Sequence, residues 1–219
     1  MAGSPATVPD TAREAGKEAV SRIGVLAIQG DFEAHAAALR RLACAAIEVR
    51  RPDQLEALDG LVMPGGESTT IMKGLDAYGL RKPIQDFALE GRPVFGTCAG
   101  LIVLDRNHLR LMDVEARRNA FGRQVKSFES DLRVKGLGEE PVRAVFIRAP
   151  TIESHGAGVE VLADLDGHPV VAREGNMLVA AFHPELTDDL RMHALFLSLT
   201  GPPGGGPPRR PQSAGREAF

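Results

Sequence analysis

The sequence predicts an α/β fold: three layers, with a mostly parallel central sheet flanked by helices and an antiparallel ribbon in the C-terminal half. Three observations carry that expectation. Short continuous apolar runs alternate with helical patterns between residues 23 and 200, as strands buried on both faces do. Two of these runs end in glycine-rich turns that lead into a helix. Between residues 159 and 182, by contrast, apolar runs are joined by the tight-turn pairs Asp166-Gly167 and Gly175-Asn176, a hairpin signal.

Taken in order, Ile23–Gln29 (IGVLAIQ) is a buried strand and Glu33–Cys44 a helix, followed by a short strand at Ile47–Arg50. Leu61–Met63 is the next strand and runs into Pro64-Gly65-Gly66. Helices are expected over Ile71–Tyr78 and Pro83–Glu90, the second with proline in its first turn, where a missing N–H costs nothing. Pro93–Phe95 is a strand leading through Gly96-Thr97-Cys98-Ala99-Gly100 into a Leu/Ile-rich helix. Ala144–Ile147, Val159–Leu162, Pro169–Ala172 and Met177–Phe182 complete the strands, and a helix over Asp189–Leu199 closes the fold.

The two ends differ from this middle. Residues 1–22 are rich in Ala, Glu, Lys and Arg without a clean apolar face, which makes them a flexible extension or a weak helix. Residues 201–219 hold ten Gly or Pro in nineteen positions, too many to propagate helix or strand, so a disordered tail is expected. The folded unit is then one domain, 23–200.

Composition excludes several classes. The net charge is −3 and the pI about 6.1, so no general pull toward nucleic acid or an anionic membrane is expected. Cys44 and Cys98 are the only cysteines, which excludes a disulfide scaffold and a cysteine-rich zinc site and fits a reducing compartment. No apolar run reaches the roughly 18 residues of a membrane span, and residues 1–22 lack a signal-peptide core. The chain reads as soluble and cytoplasmic. It has no P-loop, complete GxGxxG or metal-ligand cluster, and no cofactor or metal is expected.

Ligands of open α/β sheets bind beyond the carboxyl ends of strands. Three segments meet that description: Pro64-Gly65-Gly66-Glu67-Ser68, Gly96 to Gly100, and His183-Pro184-Glu185. If their strands are parallel neighbours, a thiol, an imidazole and a carboxylate converge at one edge. A lone cysteine is ordinarily a small buried hydrophobe. Here the G-x-C-x-G pattern between strand and helix is the thiol counterpart of the nucleophile elbow, and a position opening a helix favours thiolate. His183 then serves as base and Glu185 as its orienter, in the logic of a catalytic triad. Pro64–Ser68 is either a turn with Glu67 or Ser68 capping the next helix, or an oxyanion site in which the Gly66 and Ala99 amides bind developing charge. Cys44 and the other histidines are expected to be structural, with His35 near a partner surface.

Together these residues resemble the class I glutamine amidotransferases. Within that family, PGGEST (64–69), FGTCAGLI (95–102), RNAFGRQV (118–125), FIRAP (146–150), FHPEL (182–186) and the opening IGVLAIQGDFEAH (23–35) are similar to the glutaminase subunits of pyridoxal 5'-phosphate synthase. The resemblance covers 23–200. It implies a class I amidotransferase-like fold and hydrolysis of L-glutamine to L-glutamate and ammonia by Cys98, His183 and Glu185. It also implies transfer of the ammonia to a (β/α)₈-barrel synthase subunit in a hetero-oligomeric complex that makes pyridoxal 5'-phosphate (vitamin B6), with low activity of the glutaminase alone. Gly65, Gly66, Glu67, Ser68, Arg118, Ile147 and Arg148 match the family's glutamine-binding positions. The acid and guanidinium groups suit an amino acid's ammonium and carboxylate. Two departures stand out. Only Asp105, Arg106 and Asn107 separate Leu104 from His108, fewer residues than the family carries, which implies a short helix or a trimmed loop. Arg110 also stands where the family commonly has glycine. The alternatives are a glutaminase feeding another synthase, such as the imidazole glycerol phosphate branch of histidine synthesis, and an inactive, partner-regulating binding subunit.

Overall fold

The computed structural model describes residues 20–118 and 127–201. The terminal extensions, apart from residues 20–22 and 201, and the RNAFGRQ stretch from Asn119 onward lie outside the described residues. The chain runs β1 (Arg22–Leu26), α1 (Phe32–Arg41), β2 (Ala45–Val49), β3 (Gly60–Met63), α2 (Ser68–Ala77), α3 (Arg81–Leu89), β4 (Val94–Thr97) and α4 (Ala99–Leu104). It continues with β5 (Val114–Arg117), β6 (Ser127–Leu132), β7 (Val142–Ile147), β8 (Thr151–His155), β9 (Glu160–Leu165), β10 (His168–Glu174), β11 (Met177–Ala180) and α5 (Arg191–Leu197).

Seven strands form the central sheet in the order β2-β1-β3-β4-β11-β10-β9. The pairs from β2 to β11 are parallel, while β11, β10 and β9 form the antiparallel ribbon. Each expected element is present, with no end shifted by more than three residues, near the ordinary uncertainty of an element boundary. The strands that read as unbroken apolar runs are buried along their whole length: β3, β4 and β11 each have every residue buried.

Alternation along β4 separates the two helical layers. Phe95 and Thr97 face α5 and α1: Phe95 stacks on Phe196 at 5.7 Å, and Thr97 Oγ1 lies 3.1 Å from His35 Nε2. Gly96 faces the other way, onto α4, where a Cβ would lie 2.7 Å from the Gly100 carbonyl carbon. Helix α4 packs in turn against α2, which also touches α3. Burying this apolar surface contributes about 25 cal/mol per Å² and is the main driving force for the layered arrangement.

Three strands were not anticipated. β5 pairs with β8, and β6 with β7, as two separate antiparallel pairs. Their sequences VEAR, SFESDL and TIESH carry polar residues throughout, because these pairs are half exposed and need no continuous apolar run. The β6–β7 pair joins the core through Phe128, Phe146 and Phe182, whose rings contact in series at 4.7 and 5.6 Å.

Both departures from the family pattern have a visible local form. Helix α4 is only six residues long and ends at Asp105, whose amide donates to the Ile102 carbonyl and whose carboxylate holds the turn beyond. One Asp105 oxygen accepts from the Asn107 and His108 amides at 2.8 and 3.0 Å and lies 2.7 Å from His108 Nδ1. Arg110 takes a left-handed φ of 58°, the conformation for which glycine has no steric cost. An L-residue there costs about 1–2 kcal/mol, which the folded structure absorbs.

Candidate active site

β3, β4 and β11 are adjacent and parallel, so the three motif segments emerge at the same edge of the sheet. Cys98 sits between β4 and α4 with φ 48° and ψ −108°, outside the regions favoured by L-residues. Such strain costs about 1–3 kcal/mol and persists only when the surroundings enforce it. Here the Cys98 amide donates to the Ala180 carbonyl at 2.8 Å, tying the elbow to β11. The flanking glycines are required sterically: a Cβ on Gly100 would lie 2.1 Å from the Met63 carbonyl oxygen at the end of β3. The glycine-flanked turn is thus squeezed between two strands, and it presents a side chain that is 7% exposed.

His183 follows β11 after the chain leaves the ladder, its amide donating to the Val145 carbonyl of β7 at 2.9 Å. Pro184–Leu186 form one 3₁₀ turn, which folds Glu185 back onto the ring: Glu185 Oε1 lies 2.7 Å from His183 Nδ1. The ring also meets Gly65, where a Cβ would stand 2.5 Å from His183 Cε1 and 3.2 Å from Cys98 Cβ. Cys98 and His183 therefore converge on the Gly65 backbone. The Cys98 Sγ approaches the Ile147 carbonyl at 3.9 Å, which brings the end of β7 to the same place.

Burial alone pulls the His183 imidazole down. Hydrogen bonding and charge from Cys98 and Glu185 outweigh it and push the pKa up to about 10. Burial likewise pushes the Glu185 carboxyl up, but the His35 and His183 imidazoles more than offset it and hold it below the usual carboxylate range. Interactions of the His183 imidazolium therefore stabilise the fold fully below pH about 6.5 and are lost as the pH rises through about 10. A ¹³C NMR titration of the His183 ring is expected to show a midpoint near 10, moved down in Cys98→Ala. A midpoint near the free value of about 6.5 would contradict the arrangement.

The remaining expected residues lie around this centre. Gly65 is buried beside His183, while Gly66 is exposed with φ 144°. Glu67 is the N-cap of α2, its carboxylate accepting from the Thr69 amide at 3.2 Å, and its own amide donates to Gln29 Oε1 at 3.0 Å. Ser68 is buried as the first residue of α2. Ala99, the first residue of α4, has an amide with no partner inside that helix. Ile147 ends β7, and the exposed Arg148 beyond it takes φ 45°. Arg118, also exposed, reaches Thr69 Oγ1 of α2 at 3.5 Å.

One expectation is overturned. His35 is not near a surface; it is completely buried. Its Nε2 lies 3.2 Å from Glu185 Oε2, and its Nδ1 lies 3.0 Å from His193 Nε2. On α1 it falls on the same buried face as Ala36, Ala38 and Leu39, so it packs inward with them. A titratable residue on an apolar helix stripe was the available signal, but nothing local couples it to a site so far along the chain.

With this geometry in place, comparison with known proteins gives first a class. A solved chain described as a crystal structure of glutamine amidotransferase superposes with a TM-score of 0.77 at 48% identity, covering 82% of this chain and 98% of that one. A chain from the structure of PurLQS from Thermotoga maritima, 19% identical with a TM-score of 0.67 over 82% of this chain and 98% of its own, shares the fold. The family is then specific: the chain belongs to the SNO glutamine amidotransferase family, which matches residues 25–200. A curated relative from Carboxydothermus hydrogenoformans, 53% identical over 80% of this chain and 96% of its own length, is named pyridoxal 5'-phosphate synthase subunit PdxT. Among the described residues no helix is long and apolar enough to cross a membrane.

Proposed function

We propose that the chain hydrolyses L-glutamine to L-glutamate and ammonia through Cys98, His183 and Glu185, and passes the ammonia to a synthase subunit that makes pyridoxal 5'-phosphate. The observation that carries the reading is the convergence of Cys98 and His183 on Gly65, with Glu185 Oε1 2.7 Å from His183 Nδ1. Relatives named as subunits of pyridoxal 5'-phosphate synthase, matched over nearly their whole length, support the choice of product.

In the first step the Cys98 sulfur forms a bond to the side-chain amide carbon, and the carbonyl oxygen takes the negative charge. The Gly66 and Ala99 amides are the donors for that oxygen; one such donor is worth about 10²–10³ in rate. The His183 imidazolium, raised to a pKa of about 10, gives its proton to the departing nitrogen, so ammonia leaves and a thioester remains. Neutral His183 then takes a proton from water as its oxygen attacks the thioester, releasing glutamate and restoring the starting pair. Glu185 stabilises the imidazolium throughout. Gly65, Gly66, Glu67, Ser68, Ile147, Arg118 and Arg148 form the glutamine site, with Glu67 suited to the substrate ammonium and the two guanidinium groups to its carboxylate.

The synthase partner is also the regulator in this reading. The glycine-rich turn 64–66 can reorient a peptide without the steric penalty a Cβ imposes, which allows oxyanion-competent and incompetent states. Glutamate release is expected to rise sharply when the cognate synthase is added. An isolated chain already running at full rate would exclude gating by the partner.

A further inference from the structure

The triad does not end at Glu185. Its carboxylate is 1% exposed and has two oxygens to satisfy. Oε1 faces His183, whereas Oε2 has no well-aligned donor, and its polar neighbour is His35 Nε2 at 3.2 Å. That same nitrogen lies 3.1 Å from the hydroxyl of Thr97, the residue before the nucleophile. Behind His35 stands His193 of α5, buried against Phe95, with its Nε2 on His35 Nδ1.

The proton positions follow from which ring nitrogen is left alone. Among the described residues His193 Nδ1 has no partner. A proton there would be a buried orphan donor, so the proton belongs on Nε2, where it donates to His35 Nδ1. The proton of His35 must then sit on Nε2, where it donates to Thr97 Oγ1 with Glu185 Oε2 3.2 Å from the same nitrogen. The opposite tautomer would set a ring lone pair against a carboxylate oxygen. Burial lowers the His35 pKa and takes that of His193 down to about 3, which favours the neutral rings that this proton assignment describes.

We propose that His35 is a positioning residue for the glutaminase reaction, holding Glu185 Oε2 from behind so that Oε1 stays on His183 Nδ1; this rests on the functional reading above. His193 fixes the tautomer of His35, and Thr97 keys the same nitrogen to the nucleophile's strand. The residue touches neither substrate nor sulfur. Its effect belongs in the rate of the chemical steps and not in glutamine affinity.

The test compares His35→Leu, His35→Gln and the wild type with the synthase present, following glutamate release. The glutamine side chain places an N–H close to the Nε2 position and restores the donor; leucine does not. His35→Leu is expected to lose about 10- to 100-fold in kcat, the usual range for a group orienting a reactive ligand, with KM within about twofold. His35→Gln is expected to recover most of the rate. Equal rates in all three folded proteins would overturn the proposal. So would equal losses in both variants together with lower melting temperatures, which mark a packing role. The low-field proton resonance of His183 Nδ1 supplies an independent reading: it should shift in His35→Leu and return in His35→Gln. Should the wild type fail to hydrolyse glutamine, the functional reading falls. An unchanged resonance in His35→Leu would separately refute the contact with Glu185.

Discussion

Replacing Cys98 with alanine is expected to lower synthase-supported glutamate release by at least about 10⁴-fold, because members of a triad act as a unit and losing the nucleophile removes the covalent path entirely. The change deletes one sulfur from a residue that is 7% exposed, and alanine meets the same φ of 48° as cysteine, so the fold should survive, with a melting temperature lowered by the loss of the Cys98–His183 interaction. Glutamine binding should survive, since its proposed contacts lie on the turn 64–68 and the end of β7 and not on the Cys98 sulfur. Binding without turnover is therefore the predicted phenotype. This variant also separates the reading from an inactive, partner-regulating subunit: there, Cys98→Ala and the wild type would release glutamate at the same low rate.

Replacing Glu185 with glutamine should cost about 10³–10⁴ in kcat with KM nearly unchanged, for a different physical reason. The carboxylate accepts the His183 Nδ1 proton at 2.7 Å, which leaves Nε2 to serve the reacting groups. An amide can turn its NH₂ toward Nδ1, reverse the tautomer, and withdraw the charge that helps raise His183 to about 10. The NMR midpoint of His183 should fall together with the rate. A rate within about tenfold of wild type, or a lost rate with an unmoved midpoint, would argue that Glu185 does not orient the base. The glutamine substitution also reaches His35, which faces the second oxygen at 3.2 Å, so the buried chain behind the triad is disturbed in the same variant.

The parts of this site that were legible in the sequence share a cause. Cys98, His183 and the turn at 64–66 each follow a strand with every residue buried, and an unbroken apolar run is the plainest strand signal a sequence offers. Parallel neighbours then place all three at one edge without further information. Glycine spacing around Cys98 was readable because its steric reason is local: Gly96 faces the Gly100 backbone, and Gly100 faces Met63 at the end of β3. The strands β5, β6 and β8 were not legible, since a half-exposed antiparallel pair is stabilised by cross-strand partners that no single segment reveals. Glu67 has its capping reading in the structure, accepting from the Thr69 amide, while its glutamine-binding role is a proposal. His35 and His193 were missed because they lie on the apolar stripes of α1 and α5, and only the packed fold brings those stripes to Glu185.

The proposed reaction depends above all on the strained residue at the end of β4, Cys98, acting as the nucleophile. Two cysteines in the chain make a direct measurement possible: treat the complex with a glutamine-like electrophile and locate the adduct by mass spectrometry. The account predicts a single adduct on Cys98, suppressed by excess glutamine and absent in Cys98→Ala, with Cys44 unmodified. An unlabelled Cys98, or a label on Cys44 that glutamine does not prevent, would contradict it.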